Sequence, residues 1–485
     1  MSDPDAVSPT PEDDQHVVAM RTRPTTQRPV GVAPNAAWRL TSAVDQVARA
    51  LDRLVGDGAR WARLTPGLRV AVGYLVTRLI VLALLAVPET VVLGDPIYYA
   101  HNLEKLGTGT DLMSVLHEYP LPAVALVGLP WLLSFGSVWA YVCLFIVLLM
   151  AIDIAFLRLL FRFGGRRQTA AVTLWLAAGP MMGPLALTRF DLVPGVLAGA
   201  AVLILATRPR LAAVLIACGA AIKLWPVVLL PALASPLRTR GRVLAMAAVT
   251  GAVIVIAIVA VDGVDRLVSP LGWQSDRGLH VESLAALPLM AAWSLAHGPW
   301  SVRFTEFAAC EIQGPGDHVV IVLANVAAGA ATLLVAALWV RAWRRGGSVG
   351  AGTVGWLMLT AAGLLILTNK VFSPQYLLWI SPIAIAMVAI APRGDTGVRR
   401  FAVLVLAVGA LTQVLYPLLY PLITTDVWAN PLGVLLLAIR DLALMACVVY
   451  AGRRAWTETS RPVRETTTDG RDLPDGPQAV INRSE

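Results

Sequence analysis

The residues best suited to acid–base chemistry lie in one acidic segment, residues 94–122, which contains no arginine. A carboxylate that takes the proton from an attacking hydroxyl acts as a general base in group transfer. The segment offers Asp95, Glu104, Asp111 and Glu118. We predict that Asp95 is the base and keep Glu118 as the alternative. The competing interpretation of Asp95 is a solvated loop carboxylate without a catalytic role.

Lysine is rare in this chain. Of 39 basic residues, three are lysines, namely Lys105, Lys223 and Lys370. None of them lies in an arginine-rich stretch, and a compact ammonium group is well suited to act as a point charge on a phosphate. We therefore predict that Lys370 and Lys223 bind phosphate, against the alternative that the positions of the lysines carry no meaning.

Two further segments combine groups of both charges. Arg277 and His280 are predicted to bind a phosphate or sugar hydroxyls, whereas Glu282 either joins them or pairs with one of them and fixes the loop. Arg189 and Asp191 are predicted to form a local ion pair at a helix N-terminus, where a carboxylate is favoured, and are also candidates for binding substrate.

The elements that must position these groups are membrane helices. The chain is 57% apolar and only 14% charged, with a mean hydropathy of +0.69, whereas soluble domains are about a quarter charged. Apolar runs of about 20 residues cross a bilayer as helices. The net charge of +8 does not indicate nucleic-acid binding, because the arginines cluster at helix ends, where membrane topology explains them.

The arginines also orient the chain. With Arg60, Arg63 and Arg69 on the cytoplasmic side, the first helix, residues 68–91, leads to an extracytoplasmic acidic segment. Residues 119–135 are predicted to lie along the outer face, and residues 211–234 to form a hairpin broken at Lys223–Pro226 by the proline. The predicted regions are a disordered or amphipathic cytoplasmic region (1–60), a transmembrane domain (61–452) and a cytoplasmic tail (453–485).

Four charged residues fall inside the apolar runs, where an unpaired charge is costly. They are Arg78, Asp153, Arg440 and Asp441. Their opposite signs predict structural pairs. The four cysteines show no metal-binding spacing, so we predict neither a metal site nor a disulfide.

Several short motifs resemble those of membrane glycosyltransferases of the GT-C superfold, specifically family 87, which includes mannosyltransferases and arabinofuranosyltransferases. The resemblance covers roughly residues 68–450. The motifs are Gly94-Asp95, Glu118-Tyr119-Pro120, Lys223-Leu224-Trp225-Pro226, Arg277 through Ser283 (RGLHVES), and Ser373-Pro374-Gln375-Tyr376. Family members often read Tyr-Pro-Pro where this chain has Tyr119-Pro120-Leu121-Pro122.

The resemblance implies an all-α polytopic membrane protein, a GT-C-like bundle of about 10–13 transmembrane helices with juxtamembrane elements on the outer face. It implies that Asp95 is the base and that the donor is a polyprenyl-phosphate sugar. It makes Lys370, Arg277 and Lys223 candidates for the donor phosphate, with Gln375 and Tyr376 close to the substrate. Neither a cofactor nor a metal is then required.

The sequence thus predicts an inverting glycosyltransferase in the cytoplasmic membrane, with an extracytoplasmic active site and both termini in the cytoplasm. Mannose is the favoured sugar and arabinofuranose the second, with an envelope glycolipid or glycan as acceptor and membrane lipids as surroundings. The main alternative is a transporter or flippase of lipid-linked sugars, which would carry ionisable groups near the midplane in matching broken helices. A non-catalytic scaffold is the third hypothesis.

Overall fold

The computed structural model describes residue 46 and the ranges 65–86, 92–164, 167–296, 298–345, 349–392 and 395–460. The amphipathic helix predicted around residues 44–55, most of the predicted N-terminal region and residues 461–485 lie outside the described residues. Where the C-terminal tail was predicted to start, at residue 453, the last helix instead continues to Glu458.

Eighteen α-helices and two short strands follow one another in the described ranges. The helices are α1 (Pro66–Leu85), α2 (Gly94–Gly107), α3 (Leu121–Leu133), α4 (Val138–Phe163), α5 (Gln168–Met182), α6 (Leu185–Thr188), α7 (Leu192–Ile204), α8 (Pro209–Ile222), α9 (Leu230–Leu233), α10 (Leu237–Asp262), α11 (Asp265–Asp276), α12 (Leu287–Ala296), α13 (Asp317–Arg344), α14 (Ala351–Thr368), α15 (Leu377–Ile390), α16 (Thr396–Gln413), α17 (Pro421–Thr424) and α18 (Asn430–Glu458). The strands are β1 (Ser301–Phe304) and β2 (Cys310–Gln313).

Seven of these helices are long and apolar enough to cross a membrane, so the protein is an all-α polytopic membrane protein. They are α1, α4, α10, α13, α14, α16 with its continuation to Leu418, and α18. The resemblance implied about 10–13 transmembrane helices, and several of the other apolar helices in the described ranges, among them α5, α7, α8 and α15, are shorter than these seven. A helix buried within protein does not have to match the bilayer thickness, because its ends can be satisfied by neighbouring protein groups.

The centre of the bundle is the contact between α7 and α15, whose residues are almost all buried. Glycines permit this close approach. A Cβ at Gly195 would lie 2.0 Å from the Leu378 carbonyl oxygen, and one at Gly199 would lie 2.7 Å from the Pro382 carbonyl oxygen. Small residues let membrane helices pack backbone to backbone in this way.

Several of the arginines at helix ends lie at one end of the bundle, here called the arginine end. Arg167 donates to the Asp395 carbonyl at 2.9 Å, and Arg454 binds the Asp395 carboxylate at 2.8 Å. Arg240 donates to the Trp343 carbonyl at 3.1 Å. Asp95 lies at the opposite end of the bundle, here called the site end.

The acidic segment is not the loop that the sequence predicted, because residues 94–107 form α2. Its start is favourable: Pro96 lies in the first turn, where its missing N–H costs nothing, and Asp95 lies at the positive end of the helix dipole. Pro96, Tyr99 and Leu103 are buried, which is the spacing of one helical face. This periodicity is present in the sequence, although the acidic composition of the segment favours a loop.

The predicted break at residues 223–226 is present. Helix α8 ends at Ile222, and the chain continues as a 3₁₀ turn, Trp225–Leu229. It then returns toward the arginine end, where the Pro231 carbonyl accepts a hydrogen bond from the Trp343 indole at 2.8 Å. The result places Lys223 at the tip of a hairpin inside the bundle.

The segment between α10 and α13 contains a feature that the sequence analysis missed, the β1–β2 hairpin. The hairpin is antiparallel and adds a third strand-like segment, because Val281 N donates to the Cys310 carbonyl and Ile312 N to the Leu279 carbonyl. With α12 and the adjacent end of α18, it encloses a small separate apolar core. This core fixes residues 279–281 at the site end.

The charges within the helices are paired, as predicted. Arg78 of α1 binds both carboxylate oxygens of Asp153 at 2.7 Å. Arg440 donates to Asp441 at 2.6 Å, but it also binds the Glu282 carboxylate at 2.9 Å. The second pair is therefore a three-residue network that ties α18 to the 279–283 segment.

Candidate active site at the site end

Asp95 lies in the first turn of α2 with about a third of its side chain exposed. Arg189 Nη1 lies 3.0 Å from its Oδ2, and the Tyr99 hydroxyl donates to the same oxygen at 3.3 Å. Among the described residues, no hydrogen bond reaches Oδ1. The carboxylate is thus held through one oxygen while the other remains available to a ligand.

Arg189 is buried and serves as a hub between three elements. Besides Asp95, it donates to the Val92 carbonyl at 3.3 Å and to the Tyr416 hydroxyl at 3.1 Å. The predicted local pair of Arg189 with Asp191 is therefore wrong: each of the two is bound to a more distant partner. The reason is that they lie two residues apart at the junction of α6 and α7, facing different neighbours.

Asp191 is bound instead by the lysine at the hairpin tip. Lys223 Nζ lies 2.7 Å from Asp191 Oδ1, and the Trp379 indole donates to the same oxygen at 2.7 Å. The ammonium also lies 5.4 Å from the centre of the Phe190 ring, within cation–π range. Lys223 is therefore charge-balanced by Asp191 in this structure, with about a fifth of its side chain exposed.

An aromatic stack lies beside this pair. The Trp379 ring stacks on Trp225 at 4.8 Å and on Tyr376 at 4.0 Å between ring centres. Tyr376 ends the 3₁₀ turn that starts at Pro374, and Gln375, in the same turn, is partly buried. The two residues predicted to lie near substrate are thus placed at the wall of the Lys223 site.

Glu118 is much less accessible than Asp95, with 7% of its side chain exposed. The Tyr98 hydroxyl donates to its Oε1 at 2.8 Å, and its Oε2 is buried without a hydrogen-bond partner among the described residues. Burial raises the pKa of Tyr98, and the neighbouring Glu118 charge adds to this, so the hydroxyl keeps its proton and remains a donor. Asp95 is the more accessible of the two candidate bases.

The loop that leads to Glu118 is held by a residue that the sequence analysis did not single out. Arg266 of α11 is buried and donates to the carbonyl oxygens of Met113, Val115 and Leu116, each at 3.1 Å. Because its guanidinium is buried and already donates to backbone carbonyls, Arg266 fixes the 113–116 loop rather than binding a ligand. In the sequence, the one indication of a structural role for Arg266 is its position four residues after Asp262, with which it forms an ion pair at 3.5 Å.

In the segment from Arg277 to Ser283, the side chains of His280 and Glu282 are buried in the protein interior. Burial, together with the charges of Arg277 and Arg440, lowers the pKa of His280 to about 3, so the imidazole is neutral at physiological pH. Its Nδ1 accepts a hydrogen bond from the Glu282 backbone N–H at 3.2 Å. The carboxylate of Glu282 is fully buried against Arg440, rather than paired with Arg277 or His280 as the sequence suggested.

Lys370 lies next to this segment. Its Nζ donates to the Ser275 carbonyl at 2.8 Å, and its own carbonyl accepts from His280 N at 3.0 Å. Burial lowers the pKa of the ammonium, and Arg277 acts in the same direction, whereas the carboxylates of Glu311 and Asp276 oppose the shift. Lys370 and Arg277 therefore lie close enough to interact electrostatically, which is compatible with both binding the same phosphate.

Glu311 on β2 is a neighbour of both cations that sequence reasoning missed. Its Oε1 accepts from the Gly278 backbone N–H at 3.0 Å. Burial raises the pKa of its carboxyl group, while Gly278, Arg277 and Lys370 act against that shift. A lone glutamate in an irregular segment gave no sequence signal, because its position depends on the pairing of β2 with residues 279–281.

The structure thus groups the predicted residues into two neighbouring sets at the site end. Asp95, Arg189, Asp191 and Lys223 form the first, and the Arg277–Glu311–Lys370 cluster forms the second. Tyr416 binds Arg189 of the first set and its ring contacts that of Tyr420 at 4.9 Å, and Tyr420 in turn hydrogen-bonds Glu282, in the segment that carries Arg277. No group of three or more His, Cys, Asp or Glu side chains in the described ranges is arranged to hold a metal.

In a comparison with protein families, the chain matches the model for glycosyltransferase family 87 over residues 117–368. The matched region is just over half of the 485 residues. It includes Glu118, Arg189, Lys223 and the 277–283 segment, whereas Asp95 and Lys370 flank it. Curated proteins and solved structures give no match. The chain, an apolar helical bundle with its candidate site residues at one end, belongs to glycosyltransferase family 87.

Proposed function

We propose that this glycosyltransferase transfers a sugar, with inversion, from a polyprenyl-phosphate donor to an envelope acceptor, with Asp95 as the general base. The observation that carries the proposal is the state of the Asp95 carboxylate. It is anchored through Oδ2 by Arg189 and Tyr99, and a third of its side chain is exposed. An oriented but accessible carboxylate is what a base needs to reach an acceptor hydroxyl.

In the proposed reaction, the acceptor oxygen attacks the anomeric carbon while Asp95 takes the hydroxyl proton. The bond between the anomeric carbon and the phosphate oxygen breaks, and polyprenyl phosphate leaves with both electrons of that bond. Lys370 and Arg277 stabilise the negative charge that develops on the leaving phosphate. The Lys370 ammonium acts as a point charge, and the planar Arg277 guanidinium can donate two parallel hydrogen bonds. No cofactor or metal is assigned a step in this scheme.

Two features support a lipid-linked donor. One is the pair of cations Lys370 and Arg277, and the other is an apolar groove of about 620 Å³ between α13, α14 and α18, whose lining includes Leu284, Leu367 and Thr368. Thr368 is two residues from Lys370 in the sequence. A phosphate at the cations with a lipid chain in the groove satisfies both the charge and the apolar surface. We further propose the GT-C-type architecture and mannose as the sugar, with arabinofuranose second; for these the support is the sequence resemblance.

The proposed placement is extracytoplasmic for the site end, in the cytoplasmic membrane. Its support is the positive-inside rule, since the opposite end carries the arginines that follow or precede the long helices. Both termini then lie in the cytoplasm.

The direct test is donor turnover by the purified protein. Synthetic polyprenyl-phosphate mannose and polyprenyl-phosphate arabinofuranose are each supplied with an envelope lipid extract, and released polyprenyl phosphate is quantified. Release coupled to labelling of the extract is expected with one donor. Movement of an intact lipid-linked sugar across vesicles without release of polyprenyl phosphate would contradict the proposal and indicate transport.

A further inference from the structure

Arg440 of α18 is a fully buried cation to which the proposed reaction assigns no part. Its Nη1 and Nη2 donate to the carboxylate and to the backbone carbonyl of Glu282, each at 2.9 Å, and its Nε donates to Asp441 at 2.6 Å. All three guanidinium nitrogens are therefore bound within the protein, and two carboxylates balance the charge. A donor phosphate does not reach this guanidinium, so any effect of Arg440 on the site acts through its neighbours.

The flat face of the same guanidinium packs on Phe372, which lies two residues after Lys370. The Arg440 Cζ atom lies 4.2 Å from the centre of the Phe372 ring, within the range of cation–π contacts, and Phe372 is 2% exposed. An arginine can use its edge for hydrogen bonds and its face for an aromatic ring at the same time. Arg440 therefore joins residues 277–283, through Glu282, to the segment that carries Lys370.

The two segments are also joined directly. The His280 backbone N–H donates to the Lys370 carbonyl at 3.0 Å, and residues 279–281 are in turn hydrogen-bonded to β2. The charges of both Arg277 and Arg440 lower the pKa of the His280 imidazole, so both arginines lie near this ring. The separation of Arg277 from Lys370 thus depends on the backbone bond of His280 and on the contacts of Arg440.

Arg277 and Lys370 differ from Arg440 because they retain donors for a ligand. Arg277 Nε is buried and has no hydrogen-bond partner among the described residues. Lys370 donates to the Ser275 carbonyl at 2.8 Å, which uses one of the three hydrogens of its ammonium. Two cations contact one phosphate together only at a suitable separation, and a displacement of about 1 Å within a site can cost a large factor in rate. Recognition of the phosphate therefore depends on the contacts that fix this separation.

We propose that Arg440 is a positioning residue of the donor-phosphate site, which holds Arg277 and Lys370 at the separation that lets both contact one phosphate. It does so through Glu282 at its edge and through Phe372 at its face. This inference rests on the proposed function and adds a residue on which its phosphate recognition depends. A purely structural role would instead lower stability and leave the contribution of the phosphate to binding unchanged.

Two variants release this contact in different ways. Phe372→Leu removes the ring that packs on Arg440 and leaves every charge in place. Arg440→Met alone would leave two buried carboxylates without their cation, which is strongly destabilising, so it is combined with Glu282→Gln and Asp441→Asn. The triple variant replaces the whole charge network by neutral side chains of similar size.

Matched controls come from the arginine end and from the contact of α1 with α4. Phe401 is as buried as Phe372, at 2% exposure, and its ring stacks on that of Tyr450. Phe401→Leu therefore removes a buried ring away from the cations. Arg78→Met combined with Asp153→Asn neutralises a buried ion pair without touching the site.

The experiment measures how much the phosphate contributes to binding. Radiolabelled polyprenyl phosphate, the leaving group of the proposed reaction, and polyprenol of the same length are titrated separately into protein in nanodiscs, and their Kd values are compared. Two charge-assisted contacts predict a preference for the phosphate of about a hundredfold in the wild type and in both controls. Phe372→Leu and the triple variant are expected to lower this preference to about tenfold, with the Kd of polyprenol unchanged. The wild-type preference in either variant would overturn the inference.

Removal of one cation shows whether Arg440 acts through their separation. In a Lys370→Met background no second cation remains to be placed, so Phe372→Leu should lower the preference little further. The same loss in both backgrounds would overturn the inference, because the effect would then be a general loosening. Equal Kd values for polyprenyl phosphate and polyprenol in the wild type would instead refute the donor in the proposed function, and the inference with it.

Discussion

The contact between Arg189 and Asp95 makes a prediction that can be worked through in numbers. The side chain of Arg189 is 6% exposed and that of Asp95 33%, and their closest atoms lie 3.0 Å apart. Removing one partner of a fully buried pair costs about 3–5 kcal/mol, but solvent around Asp95 reduces this. We expect Asp95→Asn and Arg189→Met each to lower stability by about 1–3 kcal/mol.

Because the two side chains share one contact, their effects should not add. The double variant is expected to be more stable than the sum of the single effects by about 1–2 kcal/mol. For turnover, loss of the base in Asp95→Asn should lower kcat by roughly 10²–10⁴-fold. Arg189→Met, which releases the orientation of the carboxylate and loses the contacts to Val92 and Tyr416, should lower kcat by about tenfold, and adding it to Asp95→Asn should lower kcat no further.

The assay combines thermal unfolding in detergent with turnover per folded molecule, and the Arg78–Asp153 pair is the control. That pair is buried and bidentate but belongs to α1 and α4 away from the site. Arg78→Met and Asp153→Asn should show the same non-additive loss of stability without loss of turnover. If the activity losses of Arg189→Met and Asp95→Asn multiply in the double variant, Arg189 acts independently of Asp95 and the reasoning is refuted.

The remaining predictions concern the second set of residues. Lys370→Met removes a charge that stabilises the leaving phosphate, so it should lower kcat and reduce kcat/KM for the donor about tenfold, about 1.4 kcal/mol. Glu311→Gln, which removes a negative charge beside Lys370, should raise kcat/KM. Steady-state kinetics at two salt concentrations decides, and shifts of both variants in the same direction would contradict the account. Because the pKa of His280 is lowered to about 3 in the folded protein and is about 6.5 when unfolded, the unfolded state binds more protons below about pH 6.5. Stability is then complete above that pH and falls as the pH decreases toward 3, by about 1.4 kcal/mol at about pH 5.5. His280→Asn, which still accepts from Glu282 N but does not titrate, should flatten the pH dependence of thermal unfolding, and an unchanged slope would show that His280 is not responsible.

The sequence predicted the features that depend on composition and on local chemistry. Apolar runs and the arginines at their ends indicated the helical bundle and its two unlike ends. The break after Ile222 followed from Pro226, because proline removes a helix hydrogen bond. The buried pair of Arg78 and Asp153 followed from the cost of an unpaired charge in an apolar helix.

What the sequence did not predict depends on packing between distant segments. Arg189 binds Asp95 rather than Asp191, because the packing of α2 against α3 and α4 decides which carboxylate lies in reach. Glu311 joins Lys370 through the pairing of β2 with residues 279–281, a register that two four-residue strands do not reveal. The helical period of α2 is present in the sequence, since the buried residues Pro96, Tyr99 and Leu103 share one face.

The central claim is that Asp95 is the catalytic base, and the comparison of Asp95→Asn with Glu118→Gln tests it most directly. Both variants replace a carboxylate by an amide of the same shape, and the measurement is acceptor-dependent release of polyprenyl phosphate per folded molecule. We predict that Asp95→Asn reduces release by roughly 10²-fold or more, while Glu118→Gln retains most of it. Wild-type release by Asp95→Asn, or its loss in Glu118→Gln alone, would contradict the assignment.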